Sequence, residues 1–178
     1  MYTYSPKYIQ FYPTLKCNLS CTFCFNRGIS AKTEMNISDF KKIISIISDI
    51  GVQEIDMLGG EPTLHPEFSQ IIDIICSKKL KITISTNGSH VEILEKIMSE
   101  YNNGLITVGV SVNSEEISRE LRNYLFKYKP LIKSVFSKKC NIPETARKYL
   151  GVPGMKYYLL FMDTVCEEDL ASSVPFHE

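Results

Sequence analysis

Cys17, Cys21 and Cys24 form a Cys-x3-Cys-x2-Cys run, and Gly59-Gly60-Glu61-Pro62 makes a second compact motif further along the chain. Three thiolates in one short loop can hold three irons of a four-iron cubane and leave the fourth iron open to a ligand that is not protein. An open iron is a reactive iron, so the pattern points to chemistry at a cluster. Zinc is the competing reading. Structural zinc usually takes four ligands, and no further histidine or cysteine stands close enough in sequence to supply one. Gly-Gly-Glu-Pro alone reads as an ordinary turn, because glycine tolerates positive φ and proline presets the bend. Its place one strand-helix-strand unit after the cysteines links the two motifs.

The elements that must position these motifs alternate along the chain. Residues 8–15 read as a first strand whose end delivers Cys17, and residues 52–58 as a second that ends in the Gly-Gly-Glu-Pro turn. Between them, Phe40, Ile43, Ile44, Ile47 and Ile50 make one apolar stripe over residues 38–50, with Gly51 as the stop. A second helix starts at Pro66 and buries Phe68, Ile71, Ile72 and Ile75. Ile82 and Ile84 alternate in a third strand ending at Ser85-Thr86-Asn87-Gly88, and Ser89 with Glu92 makes a capping box for a third helix. Residues 105–112 form a fourth strand. Ile117, Leu121, Tyr124, Leu125 and Tyr128 space as a fourth helix stopped by Pro130. Residues 131–137, 143–150 and 157–162 complete the series as strand, helix and strand. This alternation implies βαβ units with right-handed crossovers and a parallel sheet, and pattern alone leaves both a partial barrel and a doubly wound sheet open.

Cys17-Asn18-Leu19-Ser20-Cys21-Thr22-Phe23-Cys24 resembles the cluster loop of the radical S-adenosylmethionine (SAM) superfamily, with Phe23 at its aromatic position. Gly59 to Pro62 match that family's Gly-Gly-Glu-Pro turn residue for residue, and Ser85 to Gly88 fall where many members carry Thr-Asn-Gly. The resemblance covers residues 8–163. It implies an α/β fold, a partial (β/α)6 TIM-like barrel of parallel strands, and chemistry at the carboxyl ends of the strands. It further implies a [4Fe-4S] cluster on Cys17, Cys21 and Cys24, with the open iron chelating SAM. Reduction of the bound SAM would then give a 5'-deoxyadenosyl radical that abstracts hydrogen from the substrate, the electron coming from a reductant such as flavodoxin or ferredoxin.

The resemblance assigns the SAM ammonium to Glu61 and the backbone of Gly59 and Gly60, carboxylate and carbonyls being the matching acceptors. It places Thr86 and Asn87 beside SAM, although an Asn-Gly pair is also a common turn by itself. Ser111 and Asn113 are assigned to the ribose, or else they cap the following helix. Phe23 packs beside cluster or adenine, or is a plain core aromatic. Backbone amides near Lys16 and Asn18 are candidates to bond cluster sulfurs, and Asn26 and Arg27 are candidates to reach the SAM carboxylate or the substrate. Cys140 and Cys166 follow the fifth and sixth strands on the same side, as hydrogen donors, second-cluster ligands or packing residues. Cys76 reads as a small buried hydrophobe.

The 178 residues are 44% hydrophobic, and 20 Lys and Arg balance 20 Asp and Glu, which suits a single domain over residues 1–178. That balance argues against a nucleic-acid binder. No apolar run is long enough to span a bilayer, and the first residues lack a signal peptide's regions, so the expectation is a cytoplasmic protein with no membrane partner. His65, His90 and His177 have no metal-pair spacing, and Lys78, Lys79 and Lys81 read as a solvated face. The chain stops where a sixth helix is due, giving the expectation of a core without a SPASM or twitch extension. The leading functional expectation is a maturase acting on a peptide or protein, or on a small molecule. A glycyl-radical activase and a non-catalytic iron-sulfur electron-transfer module are the alternatives.

Overall fold

The computed structural model describes residues 5–29, 33–101, 104–114, 116–136 and 142–161. Six parallel strands, β1 (Tyr8–Phe11), β2 (Glu54–Met57), β3 (Lys81–Thr86), β4 (Ile106–Ser111), β5 (Leu131–Phe136) and β6 (Lys156–Phe161), lie side by side in strict sequence order. A doubly wound sheet reverses direction at its first strands, so this order excludes it and leaves the barrel-like winding. The sheet stays open, with β1 and β6 as its edges. Helices α1 (Ile37–Asp49), α2 (Phe68–Ser77), α3 (Val91–Glu100), α4 (Arg119–Tyr128) and α5 (Ile142–Leu150) fill the crossovers.

Alternation decides what each strand face meets. In β3, Ile82, Ile84 and Thr86 are buried toward the helices while Lys81, Thr83 and Ser85 face the other way. Two apolar clusters result. One packs Phe40 and Ile44 of α1 and Ile71, Ile72 and Ile75 of α2 onto Ile55, Met57 and Ile84. The other packs Leu94 of α3, Leu121, Tyr124 and Leu125 of α4 and Tyr149 of α5 onto Val108, Val110 and Ile132.

Three local expectations change. The first strand ends at Phe11 rather than residue 15, because Pro13 has no N–H to give the ladder. The chain there leaves the sheet and pairs antiparallel with residues 33–35, through Leu15 N–H to Thr33 O (2.9 Å), Met35 N–H to Pro13 O (2.9 Å) and a Thr14–Glu34 bridge. Ser89 caps nothing. Helix α3 starts after His90 with no side-chain cap, and the Ser89 hydroxyl donates to Asn87 Oδ1 (2.6 Å). A short 3-10 turn, Pro62–Leu64, precedes α2, which begins at Phe68 rather than Pro66. Met162, Cys140, Cys166 and His177 lie outside the described residues.

Candidate functional site

The antiparallel pairing of residues 13–15 with 33–35 closes the base of a loop that carries all three cysteines, and a Lys16–Glu34 ion pair (2.8 Å) sits at its neck. Beyond Cys17 the loop winds through successive tight turns, Cys24 N–H to Cys21 O (3.2 Å), Arg27 N–H to Cys24 O (3.1 Å) and Ile29 N–H to Asn26 O (3.3 Å). The first of these turns draws the Cys21 and Cys24 backbones together. Asn26 and Arg27 staple this loop. Buried Asn26 donates to Leu15 O (2.9 Å) across the loop base, and the Arg27 guanidinium bonds Thr22 O.

Cys17 is exposed and its sulfur accepts from Leu19 N–H at 3.4 Å. Burial pushes the Cys21 thiol up, and the nearby Cys24 and Cys17 thiols, once ionised, push it further. Among the described residues, no three His, Cys, Asp or Glu side chains converge on a point that would hold one metal ion. A cubane asks for something else, since each thiolate binds a different corner iron and the sulfurs stand apart from one another. Three free thiols on one solvent-accessible loop fit that demand.

The Gly-Gly-Glu-Pro turn is welded to the loop's first residues by backbone alone. Gly60 N–H donates to Thr14 O (2.9 Å) and Glu61 N–H to Lys16 O (2.7 Å). A Cβ on Gly60 would stand 1.9 Å from Lys16 O, and Gly59, at φ +135°, would place one 2.4 Å from Thr14 O. Only glycine admits this approach. No hydrogen bond among the described residues uses the carbonyls of Gly59 or Gly60.

Glu61 is buried. It is 1% exposed, and its carboxylate accepts from Thr63 N–H (3.2 Å), Thr63 Oγ1 (2.7 Å), Thr86 Oγ1 (2.8 Å) and Asn87 N–H (2.7 Å). Because the Thr63 hydroxyl proton goes to Glu61, His90 Nδ1 donates to Thr63 Oγ1 (2.9 Å), which places a proton on that ring nitrogen. Thr86 is likewise buried, accepting from Gly88 N–H (3.0 Å). Asn113 Oδ1 accepts from Val135 N–H (2.7 Å), so its side chain serves the β4–β5 connection. Ser111 closes β4 half-buried, and Phe23 is half-buried in the cysteine loop. Asn87, by contrast, reaches the cysteines: its Nδ2 stands 3.8 Å from Cys17 Sγ. His65 is a buried connector, accepting from Glu67 N–H at Nδ1 (3.1 Å), with Nε2 2.8 Å from Met35 O.

One polar set escaped the motif reading. On the open sheet face, Lys133 Nζ donates to Ser85 Oγ (2.6 Å), Ser85 Oγ donates to Asp56 Oδ1 (3.3 Å), and Tyr8 OH donates to Asp56 Oδ2 (3.1 Å). Gly109 lets the lysine stem cross β4, since a Cβ there would lie 2.7 Å from Lys133 Cε. The signal was present in the alternation. Polar residues at 56, 85 and 133 all sit opposite the buried faces of their strands.

A model of the radical SAM superfamily matches residues 11–171. The chain belongs to the radical SAM superfamily. Its members are enzymes that use a [4Fe-4S] cluster and SAM. The subtilosin biosynthesis protein AlbA of Bacillus subtilis is 34% identical over 112 residues, 61% of this chain and 25% of AlbA. A probable GTP 3',8-cyclase of Thermococcus kodakarensis is 31% identical over 103 residues, 57% of this chain and 33% of the cyclase. Streptococcus suis SuiB bound to SAM shares the fold at a TM-score of 0.74 and 24% identity, over 92% of this chain and 42% of SuiB. SuiB bound to its precursor peptide SuiA superposes at 0.71 and 23% identity, over 89% of this chain and 40% of SuiB. This radical SAM chain thus spans less than half the length of each of these relatives. No described helix is long and apolar enough to cross a membrane.

Proposed function

We propose that this chain is the radical SAM core of an enzyme that modifies a peptide or protein. The observation that carries the reading is the juxtaposition of a three-thiol loop and a glycine turn whose backbones interlock without side chains. Cys17, Cys21 and Cys24 hold the cluster, and the Gly59 and Gly60 carbonyls receive the SAM ammonium. Ser111, at the end of β4, faces the ribose. Glu61 and Thr86 brace the turn from beneath, since their polar atoms are spent inside the fold. When bound, cluster and SAM together supply a 5'-deoxyadenosyl radical for hydrogen abstraction. The protein's own share is to fix both groups and to keep water from them. AlbA, a bacteriocin biosynthesis protein, and SuiB, solved with a precursor peptide, support the peptide substrate. In this reading the electron comes from a flavodoxin- or ferredoxin-type reductant, and the need for reduced thiolates favours a reducing compartment such as the cytoplasm.

A nucleotide substrate is the second reading, favoured by the GTP 3',8-cyclase relatives. Electron paramagnetic resonance on the reconstituted, reduced protein is expected to give a cubane signal that shifts on adding SAM. Adding a precursor peptide encoded beside the gene is then expected to release 5'-deoxyadenosine and change the peptide's mass. Turnover with GTP and none with peptide would establish the nucleotide reading. A cubane indifferent to SAM would leave an electron-transfer module.

A further inference from the structure

The side chain of Asn87 is locked in one orientation by a closed ring of hydrogen bonds. Ser89 N–H can only donate, and it lies 2.9 Å from Asn87 Oδ1, which turns Nδ2 the other way. From there Nδ2 donates to Asn18 Oδ1 (2.9 Å), Asn18 Nδ2 donates to Ser89 Oγ (2.8 Å), and Ser89 Oγ donates back to Asn87 Oδ1 (2.6 Å). The same Nδ2 stands 3.8 Å from Cys17 Sγ. Below the ring, the buried Glu61 carboxylate grips the Asn87 backbone N–H at 2.7 Å. A path of bonded groups therefore runs from the core of the glycine turn to the sulfur of one cysteine.

We propose that Asn87 is a positioning residue for the cluster, its amide donating to the Cys17 sulfur and thereby raising the cluster's reduction potential, with Glu61 as the buried anchor that holds Asn87 in place. This deepens the ligand reading above and rests on it. An N–H dipole aimed at a thiolate stabilises negative charge there, and the reduced cluster carries one more electron than the oxidised one. The donor therefore favours the reduced state. Leu19 N–H makes the same kind of bond at 3.4 Å, so Cys17 receives two donors where a solvated thiolate would have water. Asn18 takes part as the neighbour of Cys17: the ring clamps the backbone that carries the sulfur.

The test is a redox titration, without SAM, of the reconstituted protein and of Asn87→Ala, Asn87→Asp and Ser89→Ala. Asn87→Ala removes the donor, and Asn87→Asp replaces it with an acceptor of like charge. Both are expected to make reduction harder, the aspartate by at least tenfold, or 59 mV for one electron. Ser89→Ala opens the ring but leaves the Asn87 amide on Cys17, and its potential is expected to match wild type. Asn87→Ala with a full cluster and a wild-type potential would overturn the proposal, as would Ser89→Ala shifting as far as Asn87→Ala. Should neither Asn87 variant load a cluster, circular dichroism of the metal-free protein decides. A folded, cluster-free chain supports positioning of Cys17, and an unfolded one assigns Asn87 to the fold alone. Failure of the underlying ligand reading is separate: it would show as a cubane persisting in Cys17→Ala.

Discussion

Gly60→Ala is the sharpest test of how the glycine turn and the cysteine loop cooperate. The added Cβ would sit 1.9 Å from Lys16 O, 2.4 Å from Lys16 C and 2.7 Å from Leu15 C, all backbone atoms that cannot swing aside. Ordinary contact begins near 3.4 Å, so turn and loop must separate by about 1.5 Å. That movement breaks Gly60 N–H to Thr14 O and Glu61 N–H to Lys16 O, the two bonds that weld them. Two lost bonds and the overpacking together cost about 2 to 5 kcal/mol, which lowers Tm by about 5 to 15 °C for a chain of this size. It also carries Lys16, and with it Cys17, away from the turn. The expected result is a folded, destabilised protein that takes up well under the wild-type complement of iron and sulfide, measured by metal analysis and visible absorption after anaerobic reconstitution. Gly28→Ala is the control in the same loop, because nothing lies within 4 Å of its Cβ position. It is expected to load normally. A Gly60→Ala protein with wild-type Tm and a full cluster would refute the argument that backbone contact aligns the site.

Other outcomes follow from the same geometry. Changing any one of Cys17, Cys21 or Cys24 to Ala is expected to abolish the cubane signal in electron paramagnetic resonance, and an intact four-iron signal would unseat the ligand set. Asn113→Ala is expected to cost about 1 to 3 kcal/mol in denaturant unfolding by orphaning the Val135 N–H, with SAM affinity unchanged by calorimetry. A large loss of SAM affinity there would return Asn113 to the ribose. The raised Cys21 pKa gives the metal-free protein a signed pH dependence. The folded state holds this proton more tightly than the unfolded chain, so stability is level below the ordinary thiol value of 9.0 and falls as pH rises through the folded value. Thermal melts across that range are expected to show the fall in wild type and a smaller one in Cys21→Ala.

How much of this was legible without coordinates varied with the range of the interactions involved. The stripe from Phe40 to Ile47 and the left-handed Gly51 at its end define α1 locally, and α1 appears as read, shifted by one residue. The alternation of Ile82 and Ile84 fixed β3, and the count of six strands followed from repeated local patterns of the same kind. The motif types were legible too, because three thiols in eight residues and two consecutive glycines are rare enough in sequence to carry chemical meaning by themselves.

What sequence determined, then, was the local side: where helices and strands form, and which residues carry thiols, carboxylates and flexible backbone. Only the tertiary structure decided how those groups are used. Strand order separated the partial barrel from the doubly wound sheet, since both share the same βαβ pattern. Sequence shows Glu61 as a carboxylate in a turn, but only the fold shows that Thr86 and Asn87, from the end of β3, join Thr63 in donating to it. Ser89 reads as a helix cap until Asn18 arrives from 71 residues away to claim its hydroxyl. A hydrogen bond goes to whichever partner is nearest in space. Sequence spacing names that partner within a turn or a helix, and across a sheet only the folded chain does.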